Sequence, residues 1–206
     1  MTNNEITTDL TTAVAGMKPS LREIVGTKVT LQISLGNEAL WVKADARSIE
    51  QVVVNLIANA RDAMPQGGTI TVETSRVNVG PDFVRPKVSK SESLYGGELL
   101  TMPEGNYVRL VVGDTGMGMD AATRAMIFMP FWTTKAVGNG TGLGLSIVYS
   151  IVRHSGGWVS VESGLGRGAK FEVYLPEIVD AVKPENLDRT DSCRSPEARS
   201  RPTPAR

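Results

Sequence analysis

The chain has 206 residues, enough for one domain with tails and a sizeable buried core. Lys plus Arg and Asp plus Glu each number 22, so no net field draws the chain to nucleic acid or to an anionic membrane, and no local run of basic residues does so either. The single cysteine, Cys193, excludes an internal disulfide; no apolar stretch is long enough to span a bilayer, and the start Met1-Thr2-Asn3-Asn4-Glu5 has no secretory pattern, which together predict a cytoplasmic domain without direct membrane contact.

Leu10, Val14, Met17, Leu21 and Ile24 recur at spacings of four and three, the stripe of a helix that packs on something, and Pro19 divides it into two parts. Lys28 to Ile33 and Leu40 to Lys43 are rich in β-branched or aromatic residues and read as strands around the turn Gly36-Asn37. A helix is predicted from about Ala46 to Met64, stopping at Pro65-Gln66-Gly67-Gly68. Thr69 to Val77 alternates as a strand, and Gly80 to Gly105 reads as a loop or a variable hairpin. Tyr107 to Val112 is a strand running into Gly113-Asp114-Thr115-Gly116-Met117-Gly118, followed by an irregular stretch with a short helix near Ala121 to Phe128. A helix from Leu143 to His154 ends at Gly156-Gly157, and Trp158 to Glu162 and Lys170 to Leu175 are strands joined by the turn Gly164 to Gly168. After Pro176 four prolines, many charges and no aromatic residue mark a linker-like tail.

Four clusters carry chemistry. On the helix containing Gln51 to Met64, the residues Val53, Leu56, Ile57, Ala60 and Met64 fall on one face and Asn55, Asn59 and Asp62 on the other. An ordinary amphipathic helix has the same layout, but a solvated face usually carries Glu, Lys or Gln, and asparagine is a poor helix former. A carboxamide oxygen is a neutral, hard ligand suited to Mg²⁺ that takes its other ligands from phosphate and water. Asp114, at a strand end, can accept from an exocyclic amino group such as that of adenine and repel the carbonyl that guanine presents there, although Asp-x-Gly also suits a simple turn. Gly138-Asn139-Gly140-Thr141-Gly142-Leu143-Gly144-Leu145-Ser146 opens a helix with glycines at alternate positions, so its N–H groups and the helix N-terminus can cradle phosphate. It is neither a Walker A loop nor a dinucleotide fingerprint. Between them lies Phe128-Met129-Pro130-Phe131-Trp132-Thr133-Thr134-Lys135, where Phe128 and Phe131 are expected to tuck into the core and Lys135 to follow the loop onto a phosphate.

The order of these motifs between about Leu21 and Pro176, closed by Gly156-Gly157-Trp158-Val159-Ser160-Val161-Glu162-Ser163, resembles the catalytic ATP-binding domain of bacterial sensor histidine kinases, of nitrogen-sensor-like or hybrid type. That domain belongs to a wider family that includes gyrase, the large heat-shock chaperone and the mismatch-repair ATPase. The resemblance implies an α+β fold, the Bergerat two-layer sandwich, with helices on one face of a mixed, mostly antiparallel sheet. It implies ATP and Mg²⁺ as cofactors, with Asn59 as metal ligand and Asn55, Asn59 and Lys135 as the catalytic set. Nucleotide contacts fall on Asn55, Asn59, Asp62, Asp114, Gly116, Gly118, Met119, Thr134, Lys135, Gly140, Thr141, Gly142, Leu143, Gly144 and Leu145, with residues 119–141 as a mobile ATP lid. Ala169 stands where Thr or Ser is common, and Asp62 where a basic residue is often found. The implied organisation is a connector over 1–20, the ATP-binding domain over 21–176 and a tail over 177–206.

The resemblance also bears on reaction type. ATPase relatives carry glutamate where this chain has Asn55, and an amide cannot act as a base toward water at neutral pH. The γ-phosphoryl group is therefore expected to go to a histidine on a separate dimerisation domain, and onward to a response regulator receiver domain. His154, the only histidine, sits at a helix end and is assigned a capping role, so the chain is expected to lack its phosphoacceptor, to behave as a monomer and to come from a parent that can be membrane-anchored. Two other readings share these residues: a stand-alone serine kinase of the anti-sigma-factor type, and a nucleotide-binding module that has lost its chemistry.

Overall fold

The computed structural model describes residues 6–83, 102–135 and 140–179. In chain order the elements are β1 (Thr8–Asp9), α1 (Leu10–Gly16), α2 (Lys18–Val25), β2 (Val29–Ser34), β3 (Trp41–Val42), α3 (Ala46–Asp62), β4 (Gly68–Val79), β5 (Gly105–Asp114), α4 (Ala121–Met126), α5 (Gly144–His154), β6 (Trp158–Ser163) and β7 (Ala169–Pro176). Five strands form one sheet in the order β2-β4-β5-β7-β6, with β2 parallel to β4 and every other pair antiparallel. This is the mixed, mostly antiparallel sheet expected of the α+β sandwich.

Period-two alternation splits the sheet into two faces. Ile70 and Val72 of β4, Val108, Leu110 and Val112 of β5, and Phe171, Val173 and Leu175 of β7 join the apolar sides of α1, α2, α3 and α5 in the main core. On the other face, Tyr107, Tyr174 and Val79 form a smaller cluster with Met102, flanked by Phe83 and Trp158. The helices thus share one face, as expected. α3 starts where Asp45 caps it, its Oδ1 accepting from the Ser48 N–H at 2.9 Å, and it buries Ile49, Val52, Val53, Leu56, Ile57 and Ala60. That leaves Asn55 and Asn59 half-buried at the edge of the layer.

Two expectations need correcting. β2 and β3 flank Gly36-Asn37 in sequence but do not pair with each other. β2 joins β4, placing Leu31 and Ile33 beside Ile70 and Val72 under the helices, while β3 pairs antiparallel with the two-residue β1. Phe128 is buried as expected, but Phe131 is 75% exposed and has φ of 64°, because the chain reverses there against Gly142. The stripe divides as predicted, with α1 and α2 meeting at Met17, and Leu10, Val14 and Met17 lie in the same core as Leu21 and Val25. Just after β7, Val42 bridges to Glu177 and the Ile178 N–H donates to the Trp41 carbonyl at 2.9 Å, so the chain's exit from the sheet is stitched to β3. Most of the Gly80 to Gly105 stretch and nearly all of the tail lie outside the described residues, and among the described residues no helix is long and apolar enough to cross a membrane.

Candidate functional site

A cavity of about 480 Å³, a size suited to a small-molecule ligand, opens between α3, the end of β5, the segment around α4 and the start of α5. It brings together Asn55, Asn59, Asp62, Asp114, Gly118, Met119, Thr134, Lys135, Gly140, Thr141, Gly142, Gly144 and Leu145 from the expected set. Gly116 and Leu143 do not line it: Gly116 is turned against the end of α3, and Leu143 is the N-cap of α5. Gly138 and Asn139, and with them part of the expected lid, lie outside the described residues.

At the strand end of the cavity, Asp114 Oδ1 accepts from the Gly116 N–H at 2.8 Å and the Ala169 N–H at 3.2 Å. Its Oδ2 accepts no hydrogen bond among the described residues, so one carboxylate oxygen is left for a donor within the cavity. Burial pushes this carboxyl above the usual carboxylate range, and the two amides offset part of that shift. The segment after Asp114 is clamped by main-chain bonds. The Met117 N–H donates to the Ala63 carbonyl at 3.0 Å, the Gly168 N–H to the Gly116 carbonyl at 3.0 Å, and the Gly166 N–H to the Met117 carbonyl at 2.7 Å. Gly118 has φ of 66°, and a Cβ there would lie 2.0 Å from the Gly164 carbonyl oxygen, so only glycine permits this approach. Ser163 links both sides, its Oγ accepting from the Met119 N–H at 2.9 Å and donating to the Gly168 carbonyl at 2.7 Å.

At the helix end, Asn55, Asn59 and Asp62 lie one turn apart along α3. Asn55 Oδ1 accepts from Gln51 Nε2 at 3.1 Å, while Asn55 Nδ2 is buried without a partner. A buried donor left open costs free energy unless a ligand acceptor meets it. Asp62 Oδ1 accepts from Arg61 Nε at 2.9 Å and Nη2 at 2.6 Å, and Arg61 Nη1 donates to the Ile24 carbonyl at 3.1 Å. Asp62 Oδ2 accepts from Lys135 Nζ, which also lies 3.5 Å from Asn59 Oδ1. Burial works against ionised Asp62, but the hydrogen bonds and charges of Lys135 and Arg61 outweigh it and hold this carboxyl below the usual range. A Cβ on Gly144, the first residue of α5, would lie 3.7 Å from Asn59 Nδ2 and 3.8 Å from the Asn55 carboxamide, so the positive end of that helix faces the same corner.

Between the two ends run apolar walls from Ile127, Trp132 and Phe171 and a small residue, Ala169. Sequence reasoning did not place Ile127, Trp132, Phe171 or Thr123 at the site. Ala169, singled out through the resemblance as standing where Thr or Ser is common, contributes its N–H to Asp114, which any residue but proline would supply. Among the described residues no group of three or more His, Cys, Asp or Glu side chains could hold a metal. The donors that line the cavity there, the Asn59 carboxamide oxygen and the Asp62 carboxylate, fit a cation such as Mg²⁺ that takes its remaining ligands from phosphate and water.

Comparison with known proteins places this geometry in context. Residues 44–178 match the family model described as Histidine kinase-, DNA gyrase B-, and HSP90-like ATPase. Over 178 residues the chain is 40% identical to Sensor kinase CckA of Brucella abortus (strain 2308); the match covers 86% of this chain but 18% of that kinase. The fold matches the mycobacterial sensor histidine kinase MprB with a TM-score of 0.62 at 20% identity, over 84% of this chain and 97% of that one. Full-length ShkA in complex with AMPPNP matches with a TM-score of 0.54 at 25% identity, over 82% of this chain and 29% of that one.

Proposed function

The chain belongs to the histidine kinase-, DNA gyrase B-, and HSP90-like ATPase family and is an ATP-binding domain of the sensor-kinase type, and from that premise we propose how its residues hold ATP and donate the γ-phosphoryl group to histidine. The observation that carries the proposal is one cavity with a half-satisfied carboxylate at one end and two carboxamides, a lysine and a helix N-terminus at the other.

Asp114 Oδ2 accepts the adenine amino group and disfavours guanine, whose carbonyl would face a buried negative charge. The ribose and phosphates run past Met119 and the apolar walls toward α3. There Asn55 Nδ2, the start of α5 and Lys135 receive phosphate oxygens. Asn59 holds Mg²⁺, which when bound neutralises phosphate charge. Neither asparagine can take a proton from water, so the chain's own residues position and shield the phosphates without activating hydrolysis. A neutral imidazole on a dimerisation domain attacks the γ-phosphorus; the N–P bond forms as the bond to the β–γ bridging oxygen breaks, and ADP leaves with that oxygen's electron pair. A response regulator receiver domain is the onward acceptor.

Calorimetric titration with AMPPNP and Mg²⁺ tests the binding half of this reading. Saturable binding by the wild type that is strongly weakened in Asp114→Asn supports it; no binding by the folded wild type sinks it. Incubation with labelled ATP and a histidine-bearing dimerisation domain tests the transfer half. An acid-labile phosphoprotein is expected, and an acid-stable one would point to a serine kinase.

A further inference from the structure

Lys135 does more in this structure than point into the cavity. Its ammonium lies between two oxygens of α3, bonded to Asp62 Oδ2 and 3.5 Å from Asn59 Oδ1. The carboxylate is aimed there by design of its neighbours: Arg61, anchored on the Ile24 carbonyl, grips Oδ1 through two nitrogens and leaves Oδ2 facing the cavity. A carboxylate oxygen and a carboxamide oxygen converging on one positive charge is also what a hard divalent cation seeks. The same two oxygens therefore have two possible occupants, one tethered to the chain and one free. Meanwhile Asn55 Nδ2, one turn back along α3, is buried and unpartnered, marking the neighbouring corner as a place for an acceptor such as phosphate.

We infer that Asp62 is a further cation-holding residue of this site, and that Lys135 and a divalent cation compete for its carboxylate and for the Asn59 carboxamide. This rests on the ATP-site reading above and adds an exchange to it. When a divalent cation takes Asp62 Oδ2 and Asn59 Oδ1, Lys135 gives them up and its ammonium becomes available to the phosphates that arrive with the cation. Lys135 ties its segment to α3 through Asp62, so a cation that takes these two oxygens also removes that tie. Three charges share the corner, Arg61 and Lys135 against Asp62, so displacing Lys135 does not leave Asp62 unpaired.

The test uses Mn²⁺ alone, counted as free ion by electron paramagnetic resonance, on the full chain and three variants, each checked for an unchanged circular dichroism melt. Lys135→Met removes the competitor and is expected to tighten Mn²⁺ binding by about tenfold, from the loss of one unit of like charge at contact distance. Asp62→Asn is expected to weaken it by a similar factor, and Lys135→Arg, which restores the cation, to return it to the wild-type value. If Lys135→Met leaves Mn²⁺ affinity unchanged or lowers it, or if Asp62→Asn leaves it unchanged, the competition does not exist. AMPPNP titration of the same proteins separates this from the broader reading. Nucleotide binding by the unsubstituted chain together with Mn²⁺ affinities that the substitutions do not move overturns the exchange alone, whereas absent nucleotide binding by that chain overturns the ATP site while the metal result still stands on its own.

Discussion

The two ends of the cavity are built by different means. At the strand end, Asp114 is held by the amides of Gly116 and Ala169, and the loop beyond it is tied to α3 and to the β6–β7 turn by main-chain bonds. At the helix end, the contacts are between side chains, Lys135 with Asp62 and Asn59, and Asp62 with Arg61, from residues about one-third exposed. A frame of backbone bonds does not depend on salt or on which side chains neighbour it. Side-chain ion pairs near solvent are worth little each and are screened. The contrast teaches that the strand end is rigid and the helix end adjustable; on the proposed reading, base recognition is fixed by the frame and phosphate recognition can adapt.

The largest test of this comparison is Asp114→Asn. The amide keeps Oδ1 as acceptor for Gly116 and Ala169 but turns a donor toward the adenine amino group, so ATP affinity should fall by about a hundredfold, the worth of a charge-assisted hydrogen bond. The melting temperature should hold or rise, since a buried charge is removed. A drop in melting temperature would show that the strand end depends on this charge and is not framed by backbone alone.

Titration of the same group gives the next effect. The folded carboxyl titrates above its unfolded value, so its contribution to stability is fully present below the unfolded value and is lost as pH rises through the folded one. Nucleotide binding needs the ionised form and runs the other way. Affinity for ATP should fall as pH drops through the raised range, at higher pH than an ordinary aspartate would give, while the fold gains from this group. Calorimetry and thermal melts across pH 4 to 7 should show the opposed slopes, and parallel slopes would break the assignment.

At the helix end, nucleotide affinity should decline with added salt, and Lys135→Met should flatten that dependence; an equal slope in the variant would mean Lys135 makes no charged contact with phosphate. Smaller still, Phe131→Gly removes the left-handed strain of a non-glycine residue at φ of 64° and should stabilise the chain by about 1 kcal/mol in a urea titration. Because Phe131 is exposed, little packing is lost with it. Asp45→Ala, which removes the cap of α3, should cost about 1 kcal/mol and leave the strand end's discrimination of adenine unchanged.

What the sequence determined by itself is what local chemistry specifies. The 3.6-residue period of α3 put Asn55, Asn59 and Asp62 on one side whatever lay opposite, and period-two alternation sorted β5 and β7 into two faces. Asp114 and its glycines marked a strand end beside a close backbone approach, and the motif order carried the family. Tertiary structure alone decided the rest. β1 is two residues long and has no pattern to read, and β2 chose β4 over its sequence neighbour because burial beneath the helices outweighs proximity along the chain. The resemblance singled out position 169 for its missing hydroxyl, and only folding brought its main-chain N–H onto Asp114. Phe131 faces outward because the chain turns back against Gly142, a reversal that no sequence pattern marks. Lys135 meets Asp62 across 73 residues, and long-range ion pairing leaves no period in a sequence, only a geometry that folding supplies.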